Sequence, residues 1–289
     1  MSRGPVPLRE FKEIYDRRLE QVYSYWNRSM QLEIAKHCGG WHPDRFDFRA
    51  YLTRSVLRFH KAYDALVRQD CRTVCDVGGM WGLFPIVLRD LGLSACMTEA
   101  KTYYSRAFDP LFSFIEQQDV EILDYEPFSP DADLSRTFDG VTAMAVLEHF
   151  PHSPRLFMDN VRSLVETGGV VYLEVPNIAF WPKRLRFLLH GSSPLTPLEE
   201  IYDSEIPFIG HHHEYTLGEL RALTRLSCLE IVEEQQYNYS EDLFPFGKAL
   251  RRPWIYLVPP LVRSTRECLA VTCRKIDADG SSSTPSDNR

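Results

Sequence analysis

Several short stretches of this sequence hold residue types that could do chemistry together. Thr73 to Phe84, TVCDVGGMWGLF, runs apolar to Asp76 and then breaks at Gly78, Gly79 and Gly82. Glu99 and Asp124 each end a later apolar run. Leu147, Glu148 and His149 close another, and His211, His212 and His213 stand directly before Glu214. A strand, a glycine-rich turn and a helix N-terminus together form a concavity where backbone N–H groups and the helix dipole can receive a polar ligand. Histidine beside a carboxylate can take up a proton near neutral pH.

Histidine and carboxylate can also bind a metal. Adjacent residues cannot all point into one coordination sphere, and the second group, His37, Cys38 and His42, lacks a paired cysteine motif. No metal is therefore expected. A dinucleotide fingerprint would need glycine at 78, 80 and 83, where the chain has Gly78, Met80 and Leu83. That spacing disfavours a nicotinamide oxidoreductase.

These residues need elements to position them. Leu8 to roughly Lys36 and Phe48 to Val67 repeat apolar residues at three- and four-residue steps, the period of helices with one apolar face. From Arg72 the texture alternates. Strands are predicted at TVCDV, Ala95 to Glu99, Val120 to Leu123, Phe138 to Val146 and Gly169 to Val175, with helices at Phe84 to Leu91 and Pro154 to Val165. Such alternation implies βαβ units, a mostly parallel sheet and right-handed crossovers. After Pro176 about forty residues lose this rhythm, which suggests a lid or a substrate-facing insertion. A helix resumes over Tyr215 to Leu226, with Thr216 as N-cap and Glu219 at the capping-box position. CLEIVEEQQYNY and ECLAVTCRK read as two final strands.

The organisation expected is an N-terminal helical extension over 1–70, a main domain over 71–276 with an insertion at about 177–215, and a polar tail over 277–289 that should be disordered. With 289 residues, 44% hydrophobic and 25% charged, the chain has the composition of a globular protein with a packed core. A net charge of -7 argues against holding nucleic acid through a broad basic surface. Seven scattered cysteines and no apolar N-terminal leader fit a reducing, cytoplasmic setting. Trp254 to Val262, WIYLVPPLV, is too short to span a bilayer. Flanked by Arg251, Arg252 and Arg263, it could meet the inner face of a membrane peripherally, or lie buried under a loop.

Asp76, Gly78 and Gly82 resemble the first motif of the class I S-adenosylmethionine-dependent methyltransferases, Asp-x-Gly-x-Gly-x-Gly after the first strand; Met80 replaces the middle glycine. FDGVTAMAVLEHFPHSP resembles the family's fourth-strand region through Phe138, Asp139, Val141, Leu147, Glu148 and His149. ETGGVVYLEVPN resembles the approach to the fifth strand through Gly168 and Gly169. The match covers about Arg72 to Asn177. PLEEIYD and GHHHEYTLGELRAL further resemble a bacterial branch found with glycan and secondary metabolite pathways.

The resemblance implies a doubly wound, mostly parallel seven-stranded α/β sheet, a Rossmann-like methyltransferase fold, with S-adenosylmethionine as cofactor. Asp76, Gly78, Gly79, Gly82, Glu99, Asp124 and Glu148 are the expected cofactor contacts, with Glu99 accepting from the ribose hydroxyls; a solvated loop carboxylate is the alternative for Glu99. Methyl transfer from a sulfonium requires alignment and exclusion of water, and a hydroxyl acceptor also requires a base. His149, His211 and His213 are the candidates, with Glu214 as orienter. A structural role for His149 and solvent-facing positions for the other two stay open. The expected acceptor is a small molecule or a glycan, with O-methylation of a sugar, lipid-linked sugar or metabolite. A noncatalytic cofactor-binding or protein-interaction module is the alternative.

Overall fold

The computed structural model describes residues 4–239 and 263–276. The Trp254 to Val262 stretch and the 277–289 tail lie outside the described residues.

Two N-terminal helices, α1 (Leu8–Tyr23) and α2 (Arg28–Ala35), carry the helical period read from Leu8 to roughly Lys36. The break falls where the Asn27 side chain accepts from the backbone N–H of Met30, a cap that starts a new helix. Phe48 to Val67 likewise divides into α3 (Phe48–Arg54) and α4 (Val56–Arg68) at Ser55, whose hydroxyl turns back to the Tyr51 carbonyl. Then come β1 (Thr73–Val77), α5 (Leu83–Asp90), β2 (Ser94–Glu99), α6 (Asp109–Gln117), β3 (Glu121–Asp124), β4 (Phe138–Met144), α7 (Pro154–Ser163) and β5 (Val165–Pro176). The sequence reading lacked α6 and started β5 four residues late.

The interval after β5 is not featureless: it holds α8 (Trp181–His190) and α9 (Leu198–Tyr202) before α10 (Leu217–Leu226), β6 (Leu229–Tyr237) and β7 (Cys268–Lys275). At α10 the expected capping box is present, Thr216 accepting from the Glu219 N–H while Glu219 accepts from the Thr216 N–H.

The sheet has seven strands in the order β3-β2-β1-β4-β5-β7-β6. Its first five are parallel, whereas β7 is antiparallel to both β5 and β6. Strand order reverses between β1 and β4, and in open α/β sheets that crevice, at the carboxyl ends of the strands, is where ligands bind. From Gly169 to Val175 every residue of β5 is buried, as expected of a strand covered on both faces.

Two apolar layers sandwich the sheet. One joins Phe11, Tyr15 and Leu19 of α1 and Leu66 of α4 with Phe84 and Val87 of α5. The other joins Phe157 and Val161 of α7 with Leu220 of α10. The N-terminal helices thus share the sheet's own core. Leu66 packs so close to β4 that a Cβ at Gly140 would lie 2.8 Å from its Cδ2.

Candidate active site

At the carboxyl end of β1, Asp76 is buried and accepts a 2.6 Å hydrogen bond from the Thr142 hydroxyl on β4. Burial raises its pKa from 3.8 to about 7, Thr142 pulls it back, and nearby Glu99 adds to the rise. Beyond it the chain turns on Gly78 at φ +69° and Met80 at φ +41°. Met80 therefore keeps a left-handed backbone where glycine would be unstrained. A Cβ on Gly79 would lie 2.9 Å from the Met97 Cβ and 3.1 Å from Asp76 Oδ2, so only glycine lets the turn lie this close to the carboxylate.

Glu99 ends β2 beside this turn. Its Oε1 accepts from the Met80 backbone N–H and its Oε2 from the Tyr104 hydroxyl at 2.7 Å. Burial raises its pKa from 4.5 to about 7, against the pull of Tyr104 and Met80. It is not a solvated loop carboxylate.

At the end of β4 a single turn, Leu147–His149, presents Glu148 and His149. Glu148 is 0% exposed, and neither carboxylate oxygen has a hydrogen-bond partner. Burial raises its pKa to about 7, while His211 opposes the rise. The backbone carbonyl of Glu148 accepts from the His212 N–H at 2.8 Å, and His149 Nδ1 lies 2.7 Å from the Ile209 carbonyl. These contacts lace the turn to the 209–213 loop. Burial, with His211 next, lowers the His149 pKa to about 3 and keeps its ring neutral.

Of the three adjacent histidines, only His211 lines the cavity. Its Nδ1 is 2.8 Å from Glu214 Oε1, and its Nε2 is 4.0 Å from Glu148 Oε1. Glu214 is buried and also pairs with Lys183 of α8. Burial pushes its pKa up, but His211 and Lys183 outweigh burial and leave it below 4.5. His213 faces elsewhere, 3.5 Å from Glu219 with its ring against Tyr215. His212 bonds the Phe208 carbonyl.

One cavity of about 760 Å³ joins these groups, within the ~300–1,000 Å³ span of small-molecule sites. Asp76, Gly78, Gly79 and Glu99 line one part, and Glu148, His149 and His211 another. Asp124 is exposed and accepts from the Lys101 backbone N–H, outside the lining. Gly82, at φ +65° against Ile115, caps the start of α5 and is also outside it.

Sequence reading missed the roof. Trp41, Phe46, Phe48 and Tyr51 from the N-terminal region line the cavity, with Trp81 packed against Phe48 at 5.0 Å and Trp26 at 5.5 Å. It also missed a buried ion pair in the wall, Arg58 on α4 with Glu174 on β5 at 2.8 Å. The Tyr237 hydroxyl donates to the same carboxylate at 2.6 Å. No local signal joins residues 116 apart.

The strand order, the acidic residue before the glycine turn and the carboxylate ending β2 define a class I methyltransferase site. Residues 44–234 match the methyltransferase domain family, and the chain belongs to it: it is a methyltransferase, with S-adenosylmethionine as its methyl donor. No curated protein sequence matches the chain.

Among solved structures, N-methyltransferase NodS from Bradyrhizobium japonicum, in complex with S-adenosyl-L-homocysteine, is 12% identical at TM-score 0.51, with 87% of this chain and 100% of that one covered. A chain of the Haloferax volcanii complex between the Trm112 methyltransferase activator and its assigned methyltransferase is 17% identical at TM-score 0.53, covering 77% and 92%. A Galdieria sulphuraria protein assigned as a sarcosine dimethylglycine methyltransferase is 12% identical at 0.51, covering 78% and 88%. At such identities the likeness is one of fold.

The residues present fit the cofactor. The Gly79 cradle would be filled by a Cβ, and two buried carboxylates beside it offer acceptors for hydroxyl and ammonium hydrogens.

Proposed function

We propose that the enzyme methylates a hydroxyl of a glycan, a lipid-linked sugar or a related small metabolite, as the bacterial branch it resembles would. The observation that carries this reading is the single cavity with carboxylates Asp76 and Glu99 on one side and the oriented histidine cluster on the other. Asp76, Gly78, Gly79 and Glu99 hold the cofactor, while Gly82 and Asp124 shape the loops beside it. Bound there, S-adenosylmethionine supplies an electrophilic methyl for in-line displacement.

Activation of the acceptor hydroxyl falls to His149 and His211, with Glu214 fixing the His211 ring. His213 has no part in it. Glu148 belongs with this acceptor side, since its Oε1 lies 4.0 Å from His211 Nε2. Residues 1–70 act as a helical extension whose aromatic residues exclude water, and the insertion at about 177–215 faces the acceptor. Among the described residues no helix is long and apolar enough to cross a membrane, and contact with a membrane surface enters this reading only for a lipid-linked acceptor.

The test uses S-adenosylmethionine with a ¹³C-labelled methyl, the purified protein and a panel of free and lipid-linked sugars. Expected is an O-methyl carbon signal matched by an equal amount of demethylated cofactor, both lost in Asp76→Ala. Label appearing only on nitrogen would overturn O-methylation.

A further inference from the structure

We propose that Glu148, His149 and His211 form a binding site for one divalent first-row transition metal ion of the zinc type, on the acceptor side of the cavity. Each residue offers one ligand atom, and these atoms all lie within 4.8 Å of one another. Three observations converge.

The first is an unexplained carboxylate. Glu148 is fully buried and neither oxygen has a hydrogen-bond partner. A buried polar group left this way is costly, and native structures rarely keep one without reason. A cation would supply the missing partner.

The second is the orientation of the rings. The Ile209 carbonyl can only accept, so His149 Nδ1 carries the hydrogen and Nε2 the lone pair. For His211, Nδ1 faces the Glu214 carboxylate at 2.8 Å, which turns Nε2 toward the cavity, 4.0 Å from Glu148 Oε1. A carboxylate or carbonyl behind each ring is the outer support that metal-bound imidazoles usually have, because it fixes the tautomer and raises ligand basicity. Lys183 in turn holds Glu214.

The third is fit. Bonds of ~2.0–2.2 Å in tetrahedral geometry place donors roughly 3.3–3.6 Å apart, so closure from separations of up to 4.8 Å requires contractions of up to about 1.5 Å. All three ligands line the cavity, leaving any further coordination position open to it. Two imidazoles and one carboxylate suit zinc, iron or nickel better than magnesium or calcium, which prefer oxygen donors. The adjacency that argued against a site built from His211 to Glu214 bears here only on Glu148 and His149, whose ligand atoms nevertheless lie within 4.8 Å of each other and of the one offered by His211 on a separate loop.

The inference rests on the proposed O-methylation for its chemistry, though not for binding itself. With the ion bound, His149 and His211 would serve as its ligands and not as bases toward the acceptor: a hydroxyl coordinated at the open position would lose its proton to water more readily, and its oxygen would then bond to the methyl carbon as the carbon–sulfur bond breaks.

The full chain, stripped with chelator and dialysed, is titrated with Zn(II) and with Co(II), the latter followed by its visible absorption. Wild type should take up one equivalent. His149→Ala, His211→Ala and Glu148→Gln should each weaken binding at least about 100-fold, more than loss of an outer-shell partner does. His42→Ala should leave it unchanged. Circular dichroism controls for folding, and if an alanine variant unfolds, the near-isosteric Glu148→Gln decides. No uptake by wild type, or uptake indifferent to Glu148→Gln, overturns the site. Separate titration with S-adenosylmethionine keeps the two readings apart: cofactor binding without metal uptake sinks only the metal site, and metal uptake without cofactor binding sinks only the proposed function.

Discussion

Replacing Glu99 with glutamine separates the cost of a buried carboxylate from its use. In the free protein this group sits among Met80, Tyr104, Glu126 and Asp76, and burial moves its pKa from 4.5 to about 7. That rise corresponds to roughly 3 kcal/mol between protonated and ionised forms. The folded-state pKa lies above the unfolded one, so the stability this group contributes is full below about pH 4.5 and is lost as pH rises to about 7. Glutamine resembles the protonated acid: its oxygen can accept from the Met80 N–H, and its amide can donate to the Tyr104 oxygen. Glu99→Gln is therefore expected to match wild type near pH 4 and to exceed it by up to about 3 kcal/mol at pH 8 in denaturant unfolding.

Cofactor affinity should move the other way. If, as proposed, an ionised Glu99 accepts the ribose hydroxyl hydrogens, wild-type affinity should fall by up to about tenfold per pH unit below 7, as the proton competes with the ligand. The variant should bind weakly, with little pH dependence from this position. Calorimetric titration between pH 5 and 8.5 reads both. A variant destabilised equally at pH 4 and pH 8, or wild-type affinity flat across this range, would refute the reasoning.

The Arg58–Glu174 pair is almost fully buried, so Arg58→Met alone should cost about 3–5 kcal/mol in unfolding, and Glu174→Gln added to it should restore part of the loss. Gly82→Ala should be destabilising by more than 1–2 kcal/mol, since its Cβ would meet Ile115 at 2.7 Å with φ at +65°, and thermal melting checks this. Thr216→Ala removes one half of a capping box and should cost about 1 kcal/mol in the same assay while leaving cofactor affinity unchanged.

How far the sequence reached follows from where each signal resides. TVCDVGG was readable because a buried parallel strand is a continuous apolar run and its turn needs glycine; both are local demands. The capping box at Thr216 was readable for the same reason. The helix boundary at Asn27 was not located although its cap is local, because apolar spacing continues across it: Val22, Trp26 and Met30 are all buried. Helix α6, with Pro110 in its first turn, lies in a stretch to which no element was assigned.

The site divides along the same line. Asp76 and Glu99, read from their places at strand ends, both line the cavity, but Asp124, with the same kind of placement, is exposed beside Lys101. Strand-end position puts a carboxylate at the right edge of the sheet; the loops that follow decide whether it turns inward. Among His211, His212 and His213 no sequence pattern chooses. The selection is made by Glu148, whose carbonyl accepts the His212 N–H, and by Glu214, which holds the His211 ring while His213 turns toward Glu219. Those partners come from β4's end and from the loop's own exit, so the identity of the inward histidine is a property of the packed site.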